Sequence, residues 1–523
     1  MRKSRLLGLV VIVAMGLSGA ARSAGQNSTT GQILGDVTDP SGGVVGGAKV
    51  TLISEVGAPR EIVTSGTGHY AFSLLPPGTY RLEISAPGFA VARVDEVIVK
   101  LTETTYLDVR LKLASQRQEI ITVQSEPPLV QTQDPGRGTV IEQTEIRQLP
   151  LPTRNFQQLL TLTPGASGPI TNSSELGRGS PAVYVNGNRS LSNSVVINGA
   201  DANSIGTGSL PNLAVPATDS LEEFIVQTSQ YDASQGRVAG GIIAAVTKSG
   251  TNQFHGNAYE FLRNTSLNAN NFFLNRADIA RPTYQRNQFG GTFGGPLVKE
   301  RAWFFVSYQG TRENNGTSLT NSIGTVFVPG DLSNDRSTAA LNALAASYGV
   351  PPCGVALIPG CFDPTAQTLL QAKLANGQYV IPSAPHPVSI PAVGPATPVP
   401  VPVVGISKYQ EDQFNSNLNF SLSSSNNLSA KFFWSDNPST QALFNEFGLA
   451  NSLPVPGFGA NVNFNNRLVA VTDTQVIGSA WVNEFRMLNG LSVACIVHGR
   501  SGCVRARDGA RRAGSCPARS TCV

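Results

Sequence analysis

Seven segments between residues 254 and 487 read as strands, and their alternation restricts the possible folds more than any other feature. In residues 414–422 the apolar side chains share one parity and the polar side chains share the other: Phe414, Leu418, Phe420 and Leu422 against Asn415, Asn417, Asn419 and Ser421. Residues of one parity lie on one face of a strand. Strands that cross a membrane have about 9–11 residues, apolar toward lipid and polar toward the lumen. The pattern therefore predicts a transmembrane β-barrel.

The seven segments are residues 254–262, 288–297, 302–308, 414–422, 428–435, 468–476 and 481–487. They contain all three tryptophans of the chain, Trp303, Trp434 and Trp481. Membrane barrels carry girdles of aromatic residues at both interfaces, whereas the alternative is a soluble β-sandwich with buried tryptophans. Residues 310–408, with a proline-rich run at 391–405, are predicted to be a long external loop.

The N-terminus has the three parts of a secretory signal. Arg2, Lys3 and Arg5 precede an apolar run at residues 6–17, and small residues follow. This order predicts a signal peptide over residues 1–24, because a run of about a dozen residues is too short to span a bilayer as a helix. An uncleaved membrane anchor is the alternative. In both cases the rest of the chain is expected to be exported.

The last residues differ in composition from the rest of the chain. Residues 491–523 hold four of the six cysteines and six arginines, with a single acidic residue. They show no hydrophobic period that would specify a fold, so we interpret them as a frameshifted tail on a truncated protein. A native cysteine-rich module is the alternative. The other two cysteines, Cys353 and Cys361, are expected to form a small loop disulfide, as is usual in exported proteins.

The formal net charge of +4 comes from the two ends of the chain. Without residues 1–24 and 491–523, 28 basic residues stand against 33 acidic ones. The basic balance is thus no indication of a nucleic-acid partner. Charged residues make up only 14 % of the chain, compared with about 25 % in typical soluble domains. This fits long β structure with large loops.

Residues 31–113 contain alternating strands separated by Gly- and Pro-rich turns, which predicts an all-β sandwich. The stretches 31–42, 48–50, 64–72 and 75–89 resemble the carboxypeptidase regulatory-like domain. The resemblance implies a transthyretin-like β-sandwich over residues 27–115, of a kind also grouped with carbohydrate-binding-like folds. Ser65 stands where that family usually has an aspartate, which is expected to loosen one turn.

The resemblance implies no peptidase activity. Zinc chemistry needs closely spaced ligands, and the four histidines are scattered along the chain: His69, His255, His386 and His498. Sugar binding by this domain and a role as a spacer or interaction domain both stay open.

Residues 116–133 have an apolar centre between polar and proline-containing flanks. An extended segment of this kind can add as a strand to the sheet edge of a partner. It resembles the TonB box of energy-coupled outer-membrane receptors, whose best match here is Glu119, Ile120, Ile121, Thr122 and Val123. The resemblance implies a TonB-type periplasmic energy-coupling protein as partner. The alternative is the last strand of the preceding sandwich, or its linker.

Residues 134–252 contain three further signals. They are a helical turn within 149–166, two strands with Asn-Gly turns at 183–203, and a helix start at Ser220 that leads into strands. Together they resemble the plug domain of Oar-like TonB-dependent receptors, and residues 236–251 carry the most specific part. The stretches 263–273, 286–305 and 481–486 resemble the barrel of the same group. The resemblance implies a globular plug inside a pore.

The predicted fold class is mainly β. It comprises an N-terminal transthyretin-like β-sandwich, an α+β plug domain and, over residues 253–490, the first strands of an incomplete transmembrane β-barrel. Plugged transporters have about 22 strands, and an open barrel edge leaves backbone groups unsatisfied in lipid. Seven strands therefore indicate a truncated product that is not expected to insert stably.

The functional hypothesis is a TonB-dependent outer-membrane receptor or transporter that contacts outer-membrane lipid and takes up an unknown large ligand, such as an oligosaccharide or peptide. No cofactor is expected. The alternative is a cell-surface structural, adhesive or carbohydrate-binding protein. The sequence contains no P-loop, no HExxH zinc motif and no nucleophile elbow, so an enzyme is not expected.

Overall fold

The computed structural model describes residues 29–54, 59–114, 121–122, 137–149, 151–168, 175–179, 183–202, 215–229, 239–276, 278–318, 322–351, 362–374, 376–384, 398–423, 425–443, 459–477, 481–498 and 520–522. Within these residues the fold is mainly β, as predicted. No helix among them is long and apolar enough to cross a membrane.

The first nine strands form a sandwich of two sheets. They are β1 (Gly31–Thr38), β2 (Lys49–Ser54), β3 (Arg60–Val63), β4 (His69–Leu75), β5 (Gly78–Ser85), β6 (Ala92–Val99), β7 (Thr104–Tyr106), β8 (Val109–Arg110) and β9 (Ile121–Thr122). One sheet has the order β4-β1-β7, with β8 also on β1, and the other has the order β3-β2-β5-β6-β9. Alternate residues of both sheets point inward. They form one apolar core that includes Ile33, Phe72, Leu82 and Val94.

The turn that precedes β4 is held by side-chain hydroxyl groups. The backbone N–H of His69 donates to the Ser65 Oγ over 3.2 Å, and the backbone N–H of Ala48 donates to the Thr64 Oγ1 over 2.9 Å. Gly68 takes a φ of +76°, which glycine adopts without steric cost. Ser65 thus supplies a hydrogen-bond acceptor at this turn in place of the usual aspartate.

Residues 137–250, called the central domain below, form a five-stranded sheet with helical turns. The elements are β10 (Arg137–Glu142), α1 (Gln143–Gln148), 3₁₀-helices at Phe156–Leu162, Ser190–Ser192 and Thr218–Ser220, β11 (Ala166–Ser167), β12 (Tyr184–Val185), β13 (Ser194–Ile197), β14 (Ala200–Asp201), β15 (Leu221–Ser229) and β16 (Ile242–Thr247). The sheet order is β10-β15-β16-β13-β14. Phe156, Leu160, Phe224 and Ile243 belong to its apolar core.

The Asn-Gly turns of the central domain are confirmed, whereas one helix prediction is wrong. Asn198 and Gly199 take φ values of 53° and 83°, as a type I′ hairpin turn requires, and they join β13 to β14. Ser220 does not begin a helix, because it ends a 3₁₀-turn and β15 follows from Leu221. Most of β15 is buried between β10 and β16, so burial in the sheet outweighs the local capping signal.

Eight antiparallel strands form the largest sheet, called the long sheet below. They are β17 (His255–Asn264), β18 (Tyr284–Val298), β19 (Ala302–Asn315), β22 (Ser407–Ser423), β23 (Asn426–Gln441), β24 (Ala460–Ile477), β25 (Trp481–His498) and β26 (Ser520–Cys522), and they pair in that order. Helix α2 (Phe272–Arg276) lies between the first two. Each of the seven predicted strands overlaps one of these strands. Strand β25 runs past the boundary predicted at residue 490 and pairs with β24 as far as His498.

An insert between β19 and β22 has a small core of its own. It contains β20 (Ile323–Pro329), α3 (Thr338–Ser347), α4 (Pro364–Gln371) and β21 (Pro398–Val404). Strand β21 holds part of the proline-rich run and, among the described residues, pairs with β20 alone. Proline is confined to sheet edges because it lacks a backbone N–H. Val326, Leu341 and Val403 pack together in this insert. The connections at this end of the long sheet are long, whereas those after β18, β22 and β24 are short.

Candidate functional site

The two faces of the long sheet have opposite polarity. The inward parity is polar and buried: Arg286 and Gln288 on β18, Ser307, Gln309, Thr311 and Glu313 on β19, and Glu411, Gln413, Asn415 and Asn417 on β22. Large apolar side chains are exposed on the other face, among them Phe293, Phe414, Leu422, Phe432 and Phe485. This reverses the arrangement of a soluble sheet and confirms the parity predicted for residues 414–422.

The central domain covers the inward face through hydrogen bonds. Asn417, which is fully buried, donates from Nδ2 to the Thr247 Oγ1 over 2.8 Å and also to the Lys248 carbonyl. Asn257 donates to the Asp219 Oδ1 over 2.9 Å, at another place along the sheet. Only a few apolar groups of the long sheet, such as Phe433, join the core of the central domain. The contact is therefore mainly polar.

Two charged contacts anchor residues 177 and 178 of the central domain. The backbone N–H of Gly177 donates to the Glu313 Oε2 over 2.9 Å, and the guanidinium of Arg178 contacts the carboxylate of Glu411. Glu411 is 0 % exposed and Arg178 is 9 % exposed. Arg286 lies 3.9 Å from Glu313 and donates to the Thr153 carbonyl over 3.1 Å. Each charge is thus buried with a partner, and removal of either partner would leave a costly buried charge.

A second charged group lies against β17. The Arg154 guanidinium contacts the Asp219 carboxylate and donates to the Thr218 Oγ1 over 2.6 Å. The same guanidinium lies 4.0 Å from the ring centroid of Phe261 and 5.3 Å from that of Tyr259. Arg154 combines an ion pair with cation–π contacts and so links the central domain to the inner face of this strand.

A glycine allows the close approach where the central domain leads into the long sheet. A Cβ atom at Gly250 would lie 2.2 Å from the Phe304 carbonyl oxygen and 2.9 Å from the Gly295 carbonyl oxygen. No other residue fits against two backbone carbonyls at these distances. Gly250 belongs to the stretch 236–251 that gave the most specific sequence signal.

The sandwich contacts the central domain through the loop after β6. Leu101 is fully buried against Ile225, Ala244 and Val246, and its backbone N–H donates to the Glu223 carboxylate over 2.5 Å. Burial raises the pKa of Glu223 from 4.5 to about 8, with the nearby Glu222 and Glu103 carboxylates adding to the rise. A buried carboxyl with a backbone donor therefore lies between the two domains.

A cavity of about 970 Å³ lies where the sandwich, the central domain and the long sheet meet. Its lining mixes both charges with hydroxyl groups, and includes Arg60, Arg81, Glu222, Thr247, Lys431 and Arg486. Burial raises the pKa of Glu222. Among the residues that the structure describes, no group of three His, Cys, Asp or Glu side chains could hold a metal ion.

The sequence-predicted site residues are only partly described. Ile121 and Thr122 form β9, which pairs in parallel with Ala92 and Arg93 of the sandwich. The other candidates of the coupling segment, Glu119, Ile120 and Val123, lie outside the described residues, as do Cys353 and Cys361.

The charged contacts Arg178–Glu411 and Gly177–Glu313 were missed by sequence reasoning. Glu411 and Glu313 continue the inward parity of Gln413 and Thr311, so the alternation would have indicated that they face the interior. The position of Arg178 carries no comparable local signal, because it lies in an irregular segment.

Two family models and one curated relative match the chain. Residues 246–490 match the outer membrane beta barrel domain, and residues 32–112 match the carboxypeptidase regulatory-like domain. The TonB-dependent transporter Oar of Myxococcus xanthus is 27 % identical over 341 residues, which cover 60 % of this chain and 30 % of that protein. The chain thus spans less than a third of the length of this relative.

Solved structures that resemble this chain include an outer membrane transporter and a ferric enterobactin receptor. The outer membrane transporter YddB from Escherichia coli has a TM-score of 0.41 at 12 % identity, covering 69 % of this chain and 39 % of that one. The ferric enterobactin receptor PfeA from Pseudomonas aeruginosa has a TM-score of 0.35 at 12 % identity, and the match covers 69 % of this chain and 46 % of that one. On its sequence matches, the chain is a homologue of the TonB-dependent transporter Oar, with a carboxypeptidase regulatory-like domain followed by an outer membrane β-barrel domain.

Proposed function

We propose that this chain serves TonB-dependent transport of a large ligand across the outer membrane, with the central domain as the plug of the barrel. The observation that carries the proposal is the position of the central domain on a buried polar face of the long sheet, whose other face is apolar and exposed. The homology to the transporter Oar supports it. On this proposal, residues 1–24 direct export and the long sheet is part of the outer-membrane barrel. That the chain is a truncated copy which does not insert stably stays a prediction.

The chemistry of the interface suits a domain that has to move. A hydrogen bond contributes only about 0.5–1.5 kcal/mol net, because water replaces it when it breaks. Apolar burial has no such replacement and grows with the area buried. The contacts of Asn417 and Asn257 are of the first kind. These hydrogen bonds can be exchanged for water at a smaller cost in free energy than an apolar core, whereas the buried contact of Arg178 with Glu411 would resist displacement.

The energy for displacement would come from a periplasmic TonB-type protein that binds residues 119–123. Ile121 and Thr122 form β9, the last strand of the sandwich sheet among the described residues, which is the position that the alternative of a sandwich strand expected. On this proposal the outer edge of β9 would receive the partner. An edge strand offers backbone donors and acceptors to an added strand.

Deletion of residues 119–123 tests this partner. The full chain in detergent micelles is expected to retain the periplasmic domain of a TonB-type protein in a pull-down, and the deletion is expected to abolish retention because the added strand loses its template. Deletion of residues 124–128 shortens the same linker equally and is expected to preserve retention. Equal retention by both deletions would refute the assignment, and no retention by the full chain would favour the surface-adhesion alternative.

The ligand would enter from the end of the long sheet that carries the long connections. Barrels of this kind have short turns on the periplasmic side and long loops outside. The insert between β19 and β22 lies at that outer end and packs around Val326, Leu341 and Val403. We propose that this insert takes part in ligand contact, with an oligosaccharide or peptide as the ligand class.

A further inference from the structure

The loop between β6 and β7 joins two domains that have separate cores. Leu101 is 0 % exposed although it belongs to the sandwich, and its neighbours are Ile225, Ala244 and Val246 of the central domain. Burial of a leucine side chain contributes about 1.5–3 kcal/mol. Among the described residues, Leu101 is the side chain of the sandwich that joins this buried apolar cluster.

The two sequence neighbours of Leu101 make polar contacts with the central domain. The Lys100 Nζ lies 2.8 Å from the Glu142 Oε1 on β10, and the Gln227 Nε2 donates to the Thr102 Oγ1 over 3.2 Å. Thr102 has a φ of 57°, a left-handed conformation that is uncommon for a residue other than glycine. Three consecutive residues of one short loop therefore each contact the same sheet.

The sandwich also contacts the long sheet. Arg486 donates to the Thr29 Oγ1 over 3.4 Å, and Thr29 precedes the first strand of the sandwich. At 3.4 Å this hydrogen bond is longer than those that Leu101 and Thr102 make with the central domain.

We propose that residues 100–102 form a clamp that locks the sandwich onto the central domain, so that the two move as one body. The movement itself rests on the proposed function, in which the central domain is a displaceable plug. The clamp itself does not rest on the proposed function, since it is a contact within this chain.

Glu223 provides the acceptor for the backbone of the clamp. Its carboxylate accepts from the Leu101 N–H, and burial raises its pKa from 4.5 to about 8. The charged groups that face it are Lys100 and Glu103 from the sandwich, Glu142 across the sheet and Glu222 on its own strand. The hydrogen bond from the Leu101 N–H therefore adds a polar contact between the domains to the apolar contact of the Leu101 side chain.

Spin-label distances in the full chain, held in detergent micelles, test the clamp. The labels are placed at Val63 of the sandwich and Leu162 of the central domain, which are 54 % and 60 % exposed. The distance distribution is expected to be narrow in the wild-type chain at pH 5 and broad in Leu101→Asp. Leu113→Asp is the matched control, because Leu113 is 67 % exposed, and it should stay narrow. A narrow distribution in Leu101→Asp would overturn the proposal.

A crosslink keeps the test decisive if Leu101→Asp does not fold. In a background without the six native cysteines, the pair Thr102→Cys and Gln227→Cys is expected to react with a short bifunctional thiol reagent. Leu113→Cys with Gln227→Cys is the control and should not react. Failure of the first pair would overturn the clamp.

Substitution of Glu223 then tests the hydrogen bond to Leu101. Glu223→Gln keeps an acceptor oxygen and is expected to leave the distance distribution narrow, whereas Glu223→Leu is expected to broaden it. Equal distributions in the two variants would refute a role of Glu223 in the clamp. None of these results depends on binding of a TonB-type protein, so a failed pull-down and a failed clamp are separate outcomes.

Discussion

Gly250 shows how one residue fixes the junction between two domains. The chain leaves the central domain there and passes the carbonyl oxygens of Phe304 and Gly295 so closely that a side chain has no space. Both neighbours are backbone atoms of the long sheet, so neither can move away as a flexible side chain would. The position of the central domain thus depends on the absence of a single methyl group.

Replacement of Gly250 by alanine is expected to destabilise this junction. Overpacking of a well-packed site costs about 1–3 kcal/mol, and the added Cβ would lie 2.2 Å from the Phe304 oxygen. The free energy of unfolding from urea titration is the measurement. Gly66→Ala is the control, since a Cβ there meets nothing within 4 Å. Similar losses in both variants would contradict the steric explanation.

The Arg178–Glu411 contact is a second feature at the residue scale. We expect Glu411→Gln to lower the free energy of unfolding by about 3–5 kcal/mol, because it leaves the buried guanidinium without its counter-charge. The exposed pair Lys49–Glu61, at 2.8 Å with both side chains about half exposed, provides the comparison. Glu61→Gln should cost about 0–1 kcal/mol.

The double variant Arg178→Met with Glu411→Leu completes this test. It removes both charges, and it is expected to recover part of the loss because no uncompensated charge stays buried. If urea titration showed that Glu411→Gln lowers the free energy of unfolding no more than Glu61→Gln does, the contact would not be an anchor of the central domain.

At the scale of the element, register decides which face of a strand meets lipid. In β23, Phe432 is exposed on the outer face, whereas Phe433 is buried against the central domain. A slip of one residue would exchange the two faces along the whole strand. The ladder of β23 with β22 and β24 prevents such a slip over nearly its full length.

A charge on each face of β23 tests this orientation. Phe432→Lys is expected to lower the stability of the long sheet in lipid vesicles by about 2–4 kcal/mol at the bilayer midplane, and by less near the interface. Ser429→Lys places the same charge toward the cavity between the domains, where water and polar groups solvate it, and should cost little. An equal loss in both variants, measured by urea titration in vesicles, would exclude the assigned orientation.

Strand β25 shows that a change in composition need not end an element. The composition changes at residue 491, yet the backbone of β25 continues to pair with β24 through Cys495 and as far as His498. Backbone pairing needs a neighbouring strand with free donors and acceptors, whereas side-chain composition only modulates it. The neighbour β24, which begins at Ala460, provides these groups.

For the whole molecule, the important feature is the separation of the two ends of the long sheet. The sandwich lies at the end with the short turns, where it shares a cavity with residues such as Asn419 and Thr472. The insert lies at the opposite end, between β19 and β22. In the proposed transporter the first end faces the energy-coupling partner and the second faces the ligand.

Much of this organisation could be predicted from the sequence, because the signals are local. Alternation in residues 414–422 predicted the strand and its two faces, and Asn-Gly at 198–199 predicted a hairpin turn. The helix start at Ser220 failed for the same reason, since a local capping pattern does not reveal that β15 is enclosed by strands on both sides. The coupling segment at 119–123 stays a prediction.

The sequence by itself determined the strands, their polarity and the order of the parts, since a period of two depends only on neighbouring residues. The tertiary structure alone decided how the parts are held together. Leu101 meets Glu223 across 122 positions of the chain, and Arg178 meets Glu411 between separate domains. Such contacts depend on burial and charge in three dimensions, and no local pattern encodes which distant partner a side chain will meet.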